Sequence, residues 1–262
     1  MIRTPYLDFI EINPTELCNY QCSFCPRSAD YPNRNLHMTR ETFDLIVESS
    51  LEWIEKTENV ITFSITGRGE PALAKNYEYM LDRVVEVYRE NASFKPMVNT
   101  NGTGFEKYLE YYKQLSTLSY NFYYKKTWEE YLETKDRFAD QKNFNIDWRH
   151  EDPEQPNLYY NNRAGSIENS LTDNEPESNY CHKPFKNIFI DWNGDYNLCC
   201  NDWYYKESLG NIHTQSIYNY YFRNRNLRFY KSMIMNNERS FQPCSTCNAK
   251  CHKSFTGEFE KQ

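Results

Sequence analysis

Cys18-Asn19-Tyr20-Gln21-Cys22-Ser23-Phe24-Cys25 places three cysteines at C-x3-C-x2-C spacing directly behind a strand-like run, Asp8 to Asn13. Three thiolates on one loop can converge on one side of an iron–sulfur cluster. A [4Fe-4S] cube is ordinarily held by four cysteines, so three nearby ligands leave one iron open to a non-protein ligand. The alternative is a tetrahedral zinc site, but zinc modules usually present C-x2-C pairs with a further His or Cys pair, and His37 is poorly spaced for that role.

Outward from this loop, short β-rich runs alternate with amphipathic stretches, the rhythm of βα units around a parallel sheet. Strands are expected at Asp8 to Asn13, Val60 to Thr66, Lys95 to Asn99, Leu118 to Tyr124 and Asn143 to Arg149, with a sixth near Leu158. Helices are expected at Thr39 to Lys56, with Thr39 as N-cap, and at Ala74 to Glu90, Phe105 to Leu115 and Thr127 to Phe138. The Pro-, Asn- and Ser-rich stretch from Glu151 to Glu177 breaks this rhythm and marks a junction between residues 1–177 and 178–262. Beyond it, Asn187 to Asp191 and Tyr196 to Cys200 flank Asn193-Gly194, a hairpin signal, and Ser216 to Met235 reads as one helix.

The trio, with Phe24 just before its third cysteine, resembles the signature of the radical S-adenosylmethionine (SAM) superfamily. That resemblance implies a partial (β/α) barrel of five or six parallel strands, an α/β fold. It implies a cluster on Cys18, Cys22 and Cys25 whose open iron is chelated by SAM, with Phe24 packing near the adenine. Reductive cleavage of SAM to a 5′-deoxyadenosyl radical, which abstracts a substrate hydrogen, is the implied chemistry. Gly67-Arg68-Gly69-Glu70-Pro71 resembles the family's Gly-Gly-Glu-Pro segment that cradles the SAM amino group, with Arg68 where Gly is more usual. Asn99-Thr100-Asn101-Gly102 resembles its Thr-Asn-Gly element, equally readable as a turn, and Asn121 stands where relatives often place a polar side chain near the SAM ribose. Asn161-Asn162-Arg163-Ala164-Gly165 resembles a segment of radical SAM proteins with auxiliary clusters, making Arg163 a candidate for a bidentate substrate contact.

Cys181, Cys199, Cys244 and Cys247 can enclose a second cluster or a zinc ribbon, since C-x2-C pairs alone do not separate the two. C-x12-G-x4-C followed by Cys244-Ser245-Thr246-Cys247 resembles the SPASM and twitch domains appended to radical SAM barrels. This implies a small cysteine-rich α+β domain at 178–262 with an auxiliary iron–sulfur cluster, expected to be [4Fe-4S], on those four cysteines. Cys200 and Cys251 remain, too few for another fully ligated cube. They are read as small buried residues, although a local register change would exchange one of them for Cys199 or Cys247.

Lys plus Arg 30 against Asp plus Glu 37 gives a net charge of -7, which argues against broad attraction to nucleic acid or anionic membranes. Nine clustered cysteines and no membrane-length apolar run or basic leader lead to the expectation of a cytoplasmic protein. Size and spacing resemble twitch-domain dehydrogenases that oxidise a secondary alcohol of an aminocyclitol. The resulting expectation is a radical SAM oxidoreductase acting on a small polar, sugar-like metabolite, with the auxiliary cluster as electron acceptor. An external donor such as flavodoxin or ferredoxin would supply the electron. Peptide or protein modification, and epimerisation with Cys200 or Cys251 as hydrogen donor, are the enzymatic alternatives; a zinc-stabilised binding module is the non-enzymatic one.

Overall fold

A computed structural model describes residues 7–149, 162–167, 181–204 and 208–249. Five strands, β1 (Phe9–Ile12), β2 (Ile61–Ile65), β3 (Phe94–Thr100), β4 (Thr117–Phe122) and β5 (Phe144–Trp148), pair in parallel in the order 1-2-3-4-5. Between them run α1 (Arg40–Thr57), α2 (Tyr77–Glu90), α3 (Phe105–Tyr112) and α4 (Trp128–Arg137), each within a few residues of its expected place. Thr39 caps α1 by accepting from the Thr42 N–H at 3.1 Å, and Thr127 and Glu130 close a capping box on α4.

Alternation along the strands divides the sheet into two faces. Ile10, Ile12, Phe63, Ile65, Val98, Leu118 and Tyr120 pack in the core with Phe43, Ile46, Val47, Met80, Leu81 and Val84 of α1 and α2. Fully burying a side chain of this size contributes about 2 kcal/mol. The opposite, interior face carries a polar set beside Met97 and Phe189. Glu11 pairs in register with Ser64, Asn99 with Ser119, and Asn121 with Asp147.

The expected sixth strand near Leu158 lies outside the described residues. β6 (Asn187–Ile190), expected only as a hairpin arm, pairs in parallel with β1 on its other side, Ile10 opposite Ile188 and Ile12 opposite Ile190. The hairpin itself forms: β7 (Asp195–Asn197) returns antiparallel to β6, and β8 (Ser208–Asn211), not expected as a strand, adds antiparallel to β7. Among the described residues the sheet is therefore one eight-stranded surface, ordered 5-4-3-2-1-6-7-8. A short helix, α5 (Lys183–Lys186), precedes β6.

Ser216 to Met235 is not one helix. It is α6 (Ile217–Arg223) and α7 (Arg225–Met235), broken at Asn224, whose backbone is extended. The Asn224 side chain accepts from the Leu227 N–H at 2.9 Å, capping α7, and its amide donates to the Gln215 side chain and the Leu209 carbonyl. These long-range bonds favour a break over a continuous helix. No helix among the described residues is long and apolar enough to cross a membrane.

Candidate radical and auxiliary cluster site

The loop from Asn13 to Tyr31 emerges from the C-terminal end of β1 and is held by buried polar contacts. Asn13 donates to Glu16 at 2.8 Å, and Glu16 accepts from the Tyr31 hydroxyl at 2.7 Å. Arg27, two residues past Cys25, is buried. Its guanidinium donates to the carbonyls of Glu16 (2.7 Å) and Arg68 (2.8 Å) and to the Asn33 side chain (3.2 Å). Asn33 in turn accepts from the Cys18 N–H at 2.9 Å, and the Cys25 N–H closes a turn on the Cys22 carbonyl. No disulfide joins any two of the eight described cysteines. Burial raises the Cys18 and Cys25 thiols above their ordinary range, with Arg27 acting in the opposite sense on both. Cluster formation must therefore deprotonate them.

Phe24 lies against Tyr123, ring centroids 5.7 Å apart, and Tyr20 against Tyr123 and Tyr124. The β4 exit is thus packed onto the cysteine loop, and Lys125 donates to the Asn19 carbonyl at 2.6 Å. Asn19 also joins Asn101 and Thr103 beyond β3. His37 bonds Thr15 and Asn35 through its two ring nitrogens.

Gly67 and Gly69 are sites of close backbone approach. Gly67 has φ +79°, and a Cβ there would lie 2.4 Å from Asn13 Oδ1; one on Gly69 would lie 2.3 Å from the Thr15 carbonyl. The segment can therefore rest on the cysteine loop, where the Glu70 N–H donates to the Leu17 carbonyl at 2.8 Å. The Glu70 carboxyl is buried and accepts from Thr100 Oγ1 (2.7 Å) and the Ala72 N–H (3.2 Å) on one oxygen, and from the Asn101 N–H (2.8 Å) on the other. With about four acceptor positions on a carboxylate, one remains for a ligand ammonium. Burial pushes its pKa up to about 7.

Asn121 donates to Asn99 and Ser119 from the interior face, while its Oδ1 is buried with no hydrogen-bond partner among the described residues; the same holds for Ser64 Oγ. Buried oxygens left without a partner on this face fit a hydrogen-bonding ligand. Glu11 lies on the same face. Burial, with the nearby Cys200 acting in the same sense, raises its carboxyl to about 8 against the opposing charges of Lys183, Arg163 and Arg68.

The C-terminal cysteines come together from separate segments. Asn162 donates its side-chain amide to the Thr246 carbonyl (2.6 Å) and exchanges bonds with Asn248, and Thr246 Oγ1 donates to the Ala164 carbonyl (2.8 Å). Residues 162–164 are thereby fastened to the Cys244–Cys247 turn, with Arg163 and Ala164 both at positive φ (47° and 53°), a costly conformation for L-residues. Arg163 reaches Asn201 Oδ1 at 3.2 Å, next to Cys199 and Cys200. The Cys199 thiol senses Cys181 and Cys200, and the Cys244 thiol, pushed up to about 12 chiefly by burial, senses Cys181 and Cys247. The bond from Cys199, and after it the charge of Lys183, which donates to Cys200 Sγ at 3.4 Å, hold the Cys200 thiol below its ordinary range. Cys251 lies outside the described residues. Among the described residues no three His, Cys, Asp or Glu side chains already converge on a single metal-ion position. A thiol-rich donor set spread over one loop, and over three segments elsewhere, fits polynuclear iron–sulfur clusters.

The sequence singled out the cysteines, Phe24, Gly67, Gly69, Glu70, Asn99, Asn121 and Arg163; Asn13, Asn19, Arg27, Glu11 and Lys183 were missed. A charged residue so close behind Cys25 was the one available signal for Arg27.

A model of the radical SAM superfamily matches residues 12–143, and a model of an iron–sulfur cluster-binding domain, SPASM, matches residues 181–251. Among solved structures, BtrN in complex with AdoMet and 2-DOIA is similar at 22% identity and TM-score 0.73, covering 93% of each chain. SuiB of Streptococcus suis bound to precursor peptide SuiA is similar at 14% identity and TM-score 0.53, covering 93% of this chain and 70% of that one. AnSMEcpe with bound AdoMet is similar at 16% identity and TM-score 0.58, covering 87% and 81%. No curated protein matches the chain by sequence. Half of the chain is spanned by the first family model, with the second behind it, and the chain belongs to the radical SAM superfamily and carries a C-terminal SPASM domain.

Proposed function

We propose that this radical SAM enzyme is an oxidoreductase that converts a secondary alcohol of a small polar, sugar-like metabolite to a ketone. The observation that carries the reading is the interior face of the sheet, where Glu11 pairs with Ser64, Asn99 with Ser119 and Asn121 with Asp147, and where two buried oxygens, Ser64 Oγ and Asn121 Oδ1, lack partners among the described residues. An apolar substrate would leave these groups unpaired at about 1–3 kcal/mol each. BtrN, which shares the fold across 93% of both chains, was crystallised with a small molecule, 2-DOIA, beside AdoMet.

In this reading Cys18, Cys22 and Cys25 hold the SAM-binding [4Fe-4S] cluster, and Cys181, Cys199, Cys244 and Cys247 the auxiliary cluster. Phe24 offers its ring to the adenine, Gly67, Gly69 and the remaining Glu70 acceptor position receive the amino group, and Asn99 and Asn121 face the ribose. Arg163 orients the substrate. When bound, the cofactors would supply radical hydrogen abstraction and an auxiliary acceptor for the second electron, the first electron coming from an external flavodoxin- or ferredoxin-like donor. The chain's own work is to shield and orient the substrate, the hydroxyl proton passing to solvent as the ketone forms.

Anaerobic reconstitution with iron and sulfide, reduction, and incubation with SAM and a panel of aminocyclitols, sugar alcohols and peptides tests this. The expected result is 5′-deoxyadenosine formed one-to-one with a ketone from an alcohol substrate, lost completely when any of Cys18, Cys22 or Cys25 becomes Ala while auxiliary-cluster absorbance persists. Zinc without sulfide, or turnover of peptides alone, would overturn it.

A further inference from the structure

Arg68 occupies the position at which the Gly-Gly-Glu-Pro segment of the resemblance carries Gly, and its side chain is buried. The backbone of residue 68 is fixed from the radical-cluster side: its N–H donates to Asn13 Oδ1 at 3.0 Å and its carbonyl accepts from Arg27 Nε at 2.8 Å. The guanidinium points the other way. It lies 4.7 Å over the Phe189 ring on β6 and 5.9 Å from the Trp203 ring, and it donates to the Asp202 carbonyl. The Asp202 N–H in turn donates to the Cys199 carbonyl at 3.1 Å. Two hydrogen bonds thus connect Arg68 to Cys199. Arg27 lies 6.0 Å from the other partner of this contact, the Trp203 ring, so both arginines border the same indole.

We infer that Arg68 is a positioning residue that ties the SAM-binding segment to the auxiliary-cluster segment, fixing the turn after Cys199 and placing a permanent cation beside it. The inference rests on Cys199 being an auxiliary-cluster ligand. Arginine suits the task because it stays charged, stacks on aromatic faces and donates from a rigid plane. A fixed positive charge and an ordered shell around a cluster favour its reduced form and raise its potential, which suits an electron acceptor.

EPR-monitored redox titration of the reconstituted holoenzyme, with iron and sulfide counts, tests this on Arg68→Lys, Arg68→Gln and Arg68→Gly. The auxiliary cluster is expected to shift to more negative potential in Gln and Gly, with Lys intermediate, and its EPR signal to broaden in Gly, while the cluster of the Cys18 loop keeps its potential. Thermal unfolding checks each variant, and if Gly fails to fold, the Gln and Lys pair decides. An auxiliary potential unchanged in Gln, or equal shifts at both clusters, would overturn the tie. Iron for only one cluster in the wild-type enzyme would instead overturn the auxiliary-cluster assignment, and the inference with it.

Discussion

The Glu70 carboxyl is surrounded by Thr100, Ala72 and Asn101 donors, yet burial outweighs them and raises it from an ordinary value of 4.5 to about 7. A carboxyl raised in this way binds its proton more tightly in the folded chain than in the unfolded one. Its stabilising contribution is full below pH 4.5 and is lost as pH rises through about 7, a change of about 3 kcal/mol. In the metal-free protein, Glu70→Gln should therefore fall below wild type in acid, where an amide NH2 facing the Asn101 N–H costs about 1–3 kcal/mol. The gap should narrow as pH climbs from 4.5 to 7; urea unfolding across that range measures it, and a constant gap would refute the buried-acid account. Glu70 was legible from its segment because strand exits carry ligands in this fold class. Arg27 was not, because its partners Arg68 and Glu16 are brought to it only by tertiary folding, and nor was Asn19, whose partner Thr103 lies 84 residues away.

Elements with strong local signals came through the sequence intact. Thr39 with its apolar positions Phe43, Ile46, Val47 and Ile54 states both the start and the buried face of α1, and Asn193-Gly194 states the turn between β6 and β7. Ser216 to Met235 failed because apolar spacing runs past the break, from Tyr220 to Leu227 to Tyr230 and Ile234, while the cause of the break is Asn224 reaching the distant Leu209 carbonyl. Substituting Asn224 tests that cause. Asn224→Ala removes the cap and both amide bonds and should lower stability by about 2 kcal/mol; Asn224→Asp keeps the cap but cannot donate to Leu209, and should lose about half as much. Chemical denaturation of the metal-free protein compares them, and equal losses would assign the whole effect to the Leu209 and Gln215 contacts.

At the scale of the molecule, a run of apolar residues announces a strand but not which edge it joins, so Asn187–Ile190 was readable as half of a hairpin and not as the parallel neighbour of β1. That placement has a physical consequence for the division at residues 177 and 178. β1 sits between β2 and β6, and Ile188 and Ile190 share one core with Ile10, Ile12 and Phe63. α6 packs on α1 as well, with the Ile217 N–H donating to Ser49 Oγ at 2.7 Å and Trp53 stacked on Phe222. Ending the chain at 177 would strip β6 from β1 and α6 from α1, leaving an unpaired edge strand with exposed apolar neighbours, a template for aggregation. The two segments are therefore expected to unfold together: calorimetry of the metal-free protein should give one transition, with calorimetric and van't Hoff enthalpies equal. Residues 1–177 expressed alone should associate in size-exclusion chromatography instead of eluting as a monomer. A well-folded monomeric fragment, or two resolved transitions in the full chain, would show that the β1–β6 pairing adds little to the stability of the barrel.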